Sequence, residues 1–346
     1  MPESGNVAPA AQTGSDSGQP PNANRHLVRL GRLASSRLIR SSFVIGALVA
    51  AGYLIISDRL RIGAALGSLG LPAAAAAFVS ILAALGTTVQ IWRLVLAALG
   101  SPLPASAAAR VLLVGQLGKY LPGSIWPVVA QMELGKSYQV PRSRSASASV
   151  ITMLLALITG LITSLVMLPF AAGAMPFRWA LLAVPVLAIL LYPRVLNAVV
   201  GRLLRLARQP PLEAPLTGRT LIAALLWALG TWICYGLQIW ILATSLGAPA
   251  GKTALIAVGG FAFAWSVGFL VIFAPAGAGV RDVLLLLLLG QVLSTASATA
   301  VMLVSRVLLT VADVLAAVVA LYYSRWRPGS GAQRPDQDGA PGCVTD

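Results

Sequence analysis

The sequence predicts an all-α polytopic membrane protein of about eight transmembrane helices with two broken or re-entrant segments. Three observations carry that expectation. Of 346 residues, 58% are hydrophobic and only 10% are charged, whereas a soluble chain carries roughly a quarter charged residues to cover its surface. Mean hydropathy is +0.84. The apolar residues also fall in long runs, and a helix needs about 20 of them to cross a hydrocarbon core of roughly 30 Å. A soluble enzyme and a disordered scaffold are both excluded.

The elements follow in order. Residues 1–38 form a hydrophilic arm: the first 24 residues hold no Lys or Arg and are rich in Gly, Pro, Ser, Asn and Gln, so they lack the basic start of a secretory signal and read as a disordered, cytoplasmic tail. The membrane body is expected over 39–324, with spans near 41–57, 72–96, 147–170, 177–192, 220–244, 253–273, 283–299 and 300–323. The fourth and seventh are short. The last two are separated only by the small polar stretch around Ser294 to Thr299, so they form a tight hairpin or a discontinuous helix. Residues 325–346 read as a second disordered tail.

Lys and Arg set the orientation. Arg25, Arg29, Arg32, Arg37 and Arg40 precede the first span, Arg194, Arg202, Arg205, Arg208 and Arg219 lie between the fourth and fifth, and Arg325, Arg327 and Arg334 follow the last. The opposite loops hold only Arg59, Arg61, Arg178 and Lys252. Cationic loops stay inside, so both termini are expected in the cytoplasm and the chain in the plasma (inner) membrane. The net charge of +15 then points to anionic lipid headgroups as partners rather than to nucleic acid.

Rare residues exclude other chemistry. His26, the single histidine, lies in the arm, and the two cysteines are Cys234, inside an apolar run, and Cys343, near the end. These cannot build a zinc site, a disulfide framework or a Ser-His-Asp triad. There is no Gly-x-x-x-x-Gly-Lys-Ser/Thr loop. No cofactor and no metal are expected, and any driving force must be a gradient, the membrane potential or the lipid's own concentration difference.

Two segments interrupt the apolar pattern. The stretch from Gly100 to Ser145 holds an apolar run, 105–117 with Arg110, then Gly118-Lys119-Tyr120-Leu121-Pro122-Gly123-Ser124-Ile125-Trp126-Pro127, then a second run before Glu133. Helix breakers this dense are tolerated at membrane depth only where protein or a water-filled cavity satisfies the backbone. The second segment, Ala274-Pro275-Ala276-Gly277-Ala278-Gly279-Val280-Arg281-Asp282, ends one helix and starts another. Its backbone amides form an anion site, to which Arg281 adds a fixed charge; Asp282 is either the counter-ion of Arg281 or a first-turn dipole partner. Paired breaks beside cations point to a transporter's substrate site.

Charges also fall inside apolar spans, where each costs on the order of 2.5–3.5 kcal/mol at the centre. Arg306 and Asp313 are seven residues apart on nearly one face, two turns from each other, so each needs a partner elsewhere, either in a structural polar network or at a substrate. Arg93 either snorkels to the interface or faces the bundle. Glu133 is placed to neutralise Lys119, Lys136 or Arg110. Trp92, Trp126, Trp179 and Trp326 fall near span ends and read as interfacial anchors, Trp126 with a further role in binding. The candidate substrate-binding set is therefore Lys119, Tyr120, Pro122, Gly123, Trp126, Gly277, Gly279, Arg281 and Asp282, with Arg110, Glu133, Arg306 and Asp313 as a polar network; no residue is assigned to catalysis.

The run Gly115-Gln116-Leu117-Gly118-Lys119-Tyr120-Leu121-Pro122-Gly123-Ser124-Ile125-Trp126, with Pro275-Ala276-Gly277-Ala278-Gly279-Val280-Arg281-Asp282, resembles the lysylphosphatidylglycerol synthase transmembrane region family, the flippase-like domain also found in the multiple peptide resistance factor. The resemblance spans about 40–323. Where that family commonly shows Gly-Val-Arg-Glu, this chain has Asp282, which keeps the carboxylate and shortens its reach. The resemblance implies an eight-helix lipid-translocating domain whose polar cavity accepts an anionic phospholipid or a polyprenyl-phosphate-linked headgroup. The full synthase carries a soluble aminoacyl-transferase domain after its membrane part; only 325–346 follow here, so lysyl transfer is not expected. The competing readings are a membrane glycosyltransferase using a polyprenyl-phosphate sugar, for which only Asp58 is an outward carboxylate, and a non-catalytic partner of cell-envelope enzymes.

Overall fold

The computed structural model describes residues 64, 67–120, 125–172, 179, 181–206, 215–270 and 279–326. All of them belong to the unit Ser42–Asp346, and among them there is no strand. The expected span at 41–57, the arm at 1–38, most of the tail, Asp58, Pro122, Gly123 and Gly277 lie outside the described residues.

Five helices are long and apolar enough to cross a membrane: α1 (Leu71–Ala98), α4 (Arg142–Ala172), α7 (Gly218–Ser245), α8 (Ala250–Leu270) and α10 (Thr295–Trp326). Shorter helices fill the gaps: α2 (Ala105–Gln116), α3 (Trp126–Gly135), α5 (Ala183–Leu190), α6 (Pro193–Leu206) and α9 (Val280–Leu289). Counting the bent pair α5 and α6, whose axes turn by 70°, as one span gives six. The chain is thus an all-α multi-pass membrane protein.

Two of the eight expected spans are interrupted among the described residues. Within 177–192 the described residues hold short 3-10 helix before Ala183 and then the eight residues of α5, after which the chain bends into α6. At 283–299 the apolar window begins inside α9, whose ten residues from Val280 to Leu289 span about 15 Å at 1.5 Å per residue, half a hydrocarbon core. Gly290 closes α9, and the Ser294 hydroxyl accepts from the Ser297 amide at 3.2 Å to start the last helix. The break therefore comes before Thr295, and α9 packs back on α10 as a tight hairpin. Hydropathy averages over a window and does not register these stops.

Local chemistry fixes the other ends. Pro72 and Pro127 stand in the first turns of α1 and α3, where the missing N–H costs nothing. Beyond the end of α1, Gly100 takes φ 86, a left-handed turn open to glycine. Arg144 donates to the Gly100 carbonyl at 2.9 Å and to Ser101 Oγ at 3.0 Å, which puts a cation on the helix's negative end.

Two apolar cores stack along the bundle. One joins the C-terminal half of α1 with α2, the start of α4, α6 and the start of α7, around Trp92, Leu96, Val111, Ile151 and Leu196. The other joins the end of α7 with α8, α9 and the start of α10, around Ile239, Leu242, Ile256, Phe261 and Leu289. Trp92, expected at the interface, is instead fully buried and donates to Ser149 Oγ at 3.4 Å: α2, α4 and α7 pack on α1, so a position late in a span is not a position at the surface. Small residues bring the long helices together. A Cβ on Gly160 of α4 would stand 2.6 Å from Ser266 Oγ of α8 and 2.8 Å from the Trp232 ring of α7, so these helices meet at backbone distance. Outside, α7 exposes Ile222, Leu226, Leu229, Ile233 and Leu237 on one face, a stripe that suits lipid and not water.

Candidate functional site

Three segments remote in sequence converge between the two cores. The 3-10 turn Leu117–Tyr120 closes α2. Gly279 opens α9 at φ 89. The middle of α10 supplies a polar stripe, Arg306, Thr310 and Asp313, spaced so that all three lie on one face.

Asp313 receives the first break. Its Oδ2 lies 2.6 Å from Lys119 Nζ and accepts from the Tyr120 hydroxyl at 2.7 Å. The carboxylate is 6% exposed and the lysine 35%, so the acid is buried and the cation keeps a path to a ligand. Lys119 also lies 5.6 Å from the centroid of the Tyr120 ring.

Arg306 receives the second break. It donates to Asp282 Oδ2 at 2.9 Å, and the same oxygen accepts from the Gly279 amide at 3.2 Å, capping its own helix. Of the two roles expected for Asp282, the helix-start role is realised directly. Arg281 is only loosely paired with it, Nε to Oδ1 3.9 Å. The Arg281 guanidinium instead lies 5.9 Å from the Phe261 centroid, a cation on an aromatic face, and Phe261 stacks on Tyr235 at 5.1 Å. Arg306 and Asp313 stand seven residues apart on α10, about 10 Å along its axis, so the two clusters are neighbours.

Three cations therefore face two carboxylates: Lys119, Arg281 and Arg306 against Asp282 and Asp313. Lys119 and Arg306 are closely paired, and the surplus falls to Arg281. A cluster of this sign and geometry can hold a phosphate or carboxylate by charge-assisted hydrogen bonds. Among the described residues no three His, Cys, Asp or Glu side chains gather as a metal site.

The remaining expected residues separate from this centre. Glu133 pairs with Lys136 at 3.0 Å and with Arg142, not with Lys119. Arg110 reaches Tyr138 at 3.4 Å. Trp126 is 41% exposed at the start of α3. Arg93, partly buried, donates to Gln90 Oε1 at 3.1 Å. Sequence reasoning missed Tyr235, Phe261 and Thr310, and also Gln238, fully buried in α7, which donates to Ser305 at 3.0 Å. A glutamine and a tyrosine one turn apart inside an apolar span were the available signal.

No individual curated protein matches the chain. The family model Lysylphosphatidylglycerol synthase TM region matches residues 43–317, which takes in both helix breaks, the α10 stripe and all five long helices but for the last turns of α10. With that match over most of its length, the chain belongs to the lysylphosphatidylglycerol synthase transmembrane region family.

Proposed function

We propose that this protein is a lipid translocase, flippase- or scramblase-like, that moves an anionic phospholipid or a polyprenyl-phosphate-linked lipid across the plasma membrane without ATP. A lipid-related membrane function follows from the family; the headgroup chemistry is argued from the site. The observation that carries it is the surplus cation where two helix breaks meet on one helix: Lys119 and Arg306 each hold a carboxylate at 2.6 Å and 2.9 Å, while Arg281 stands off at 3.9 Å. An anionic headgroup placed beside Arg281 balances the charge. It also competes with Asp313 for Lys119, whose release would free the turn Leu117–Tyr120.

The pairing gives the reading its mechanics. At 1.5 Å per residue, Arg306 and Asp313 lie about 10 Å apart along α10, one tied to each break. A ligand that loosens either pair changes how α10 is held by both. Discontinuous helices whose starts face an anion are the usual form of such a site.

Eight cations of the described residues gather at the end of the bundle where α1 stops and α4 starts, Arg110, Lys136, Arg142, Arg144, Arg194, Arg202, Arg205 and Arg219, against Lys252 at the other. We assign the cationic end, and with it both termini, to the cytoplasm.

The test is native mass spectrometry of the detergent-purified chain, followed by a liposome flipping assay with the lipid class retained. Wild type should enrich one anionic class, and Lys119→Gln/Arg281→Gln should lose it together with flipping. Equal retention of bulk lipids by both proteins overturns the reading.

A further inference from the structure

A second group of charged side chains stands apart from this centre, at the base of the hairpin formed by α2 and α3. The two helices fold back on each other: a Cβ on Gly115 near the end of α2 would lie 2.5 Å from Gln131 Cγ in α3, and Arg110 in α2 donates to Tyr138, just past α3. Lys136 and Arg142 meet at Glu133, which accepts from Lys136 at 3.0 Å and from Arg142, and Arg110 stands on the paired helix. Two cations share that one buried carboxylate, while Arg110 bonds a neutral hydroxyl.

Three donors in this group have no partner. Arg110 Nε, Arg142 Nε and Ser145 Oγ are buried and make no hydrogen bond. Ser145 is fully buried, and its hydroxyl faces Gly135, whose added Cβ would lie 3.6 Å away. Buried donors without acceptors are rare enough to require a reason. The field adds to the case. Arg142 begins α4, and the first turn of that helix holds no acidic residue, although a helix start favours an anion over a cation. Surplus positive charge, unpaired N–H and O–H groups and a helix start all ask for the same thing, an acceptor carrying negative charge.

We propose that Arg110, Lys136, Arg142 and Ser145 form a second anion site, distinct from the Lys119 and Arg281 centre, that takes a phosphate group. A guanidinium presents Nε and Nη in a fork that matches two phosphate oxygens, and Lys136 adds a point charge. Lys119 follows Arg110 by nine residues along a nearly continuous helix, roughly 13 Å, so one phosphate cannot occupy both centres. The phosphate belongs either to a lipid headgroup at the membrane surface or to a soluble phosphorylated molecule; both present the same oxygens.

The full-length chain in mild detergent distinguishes these. One arm measures the thermal shift produced by inorganic phosphate against chloride at equal ionic strength. The other titrates phosphatidylglycerol and counts retained lipid by native mass spectrometry. Wild type should respond in at least one arm, phosphate alone indicating a soluble ligand and lipid alone a headgroup. Arg110→Gln/Lys136→Gln should bind at least about tenfold more weakly, the loss expected for charge-assisted contacts, and Lys119→Gln should leave this binding intact. Ser145→Ala, which removes a hydroxyl that bonds nothing in the fold, and Arg110→Lys, which keeps the charge, should weaken it to a lesser degree and carry the test if the double variant does not fold. No response in either arm, or variants that match wild type, overturns the proposal. A loss in Lys119→Gln equal to that in the double variant shows a single shared site and overturns it too, without touching the translocase reading.

Discussion

Tyr120 donates its hydroxyl to Asp313 at 2.7 Å across 193 positions of sequence, and Lys119 beside it closes the ion pair to the same oxygen at 2.6 Å. The first helix break is thereby locked to the last helix through a single carboxylate.

That arrangement makes Asp313→Asn costly. Lys119 would lose its counter-ion in a partly buried place, and breaking such a pair costs roughly 3–5 kcal/mol when fully buried; with Lys119 35% exposed, about 2 kcal/mol is expected. Replacing both partners by apolar groups, Lys119→Met/Asp313→Leu, should recover most of the loss while abolishing lipid retention. Thermal unfolding in detergent measures the first effect and native mass spectrometry the second. A double variant no more stable than Asp313→Asn would show that the two charges are not coupled.

Close helix contact gives a stability test with no bearing on charge. Gly160→Ala puts a methyl 2.6 Å from Ser266 Oγ and 2.8 Å from the Trp232 ring, and overpacking of this kind costs typically 1–3 kcal/mol. Gly251→Ala, with nothing within 4 Å of the new atom, should be neutral or up to about 1 kcal/mol stabilising, because alanine is the better helix former. The two melting temperatures should move in opposite directions or, at the least, Gly160→Ala should fall well below Gly251→Ala.

Much of this was legible from residue types alone. Gly, Pro and an adjacent cation mark both breaks, since few other reasons exist for such residues within an apolar run. The partners were not legible, because Asp313 reaches Lys119 and Arg306 reaches Asp282 only after the chain folds. For Trp92, proximity to a span end suggested an interface, yet α2, α4 and α7 pack on its helix and bury it; burial by neighbouring helices leaves no mark on the span itself. The interruptions at α5 and α9 were not legible for a related reason, because hydropathy reports how apolar a window is and not whether one helix runs through it.

Membrane orientation can be read by labelling. Ala198 is exposed on α6 among Arg194, Arg202 and Arg205, and Lys252 is exposed at the start of α8. In a Cys234→Ser/Cys343→Ser background, Ala198→Cys should react with an impermeant maleimide only after the cytoplasmic face is opened, and Lys252→Cys in intact cells. Both sites reacting from one side would contradict the assignment by loop charge.

Arg281 separates binding from folding most cleanly. Its nearest carboxylate contact is 3.9 Å and its other neighbour is the Phe261 ring, so Arg281→Gln breaks no close ion pair and should change stability by about 1 kcal/mol, less than Asp313→Asn. Its removal does erase the surplus charge, and an anionic headgroup then loses a charge-assisted bond of about 1.5–3 kcal/mol, on the order of 10- to 100-fold in affinity. Arg281→Lys restores the charge without the planar fork and should fall between the two. Lipid retention ranked wild type, Arg281→Lys, Arg281→Gln, at nearly constant melting temperature, is the expected result. If Arg281→Gln melts as early as Asp313→Asn, the guanidinium is holding the fold together rather than waiting for a ligand.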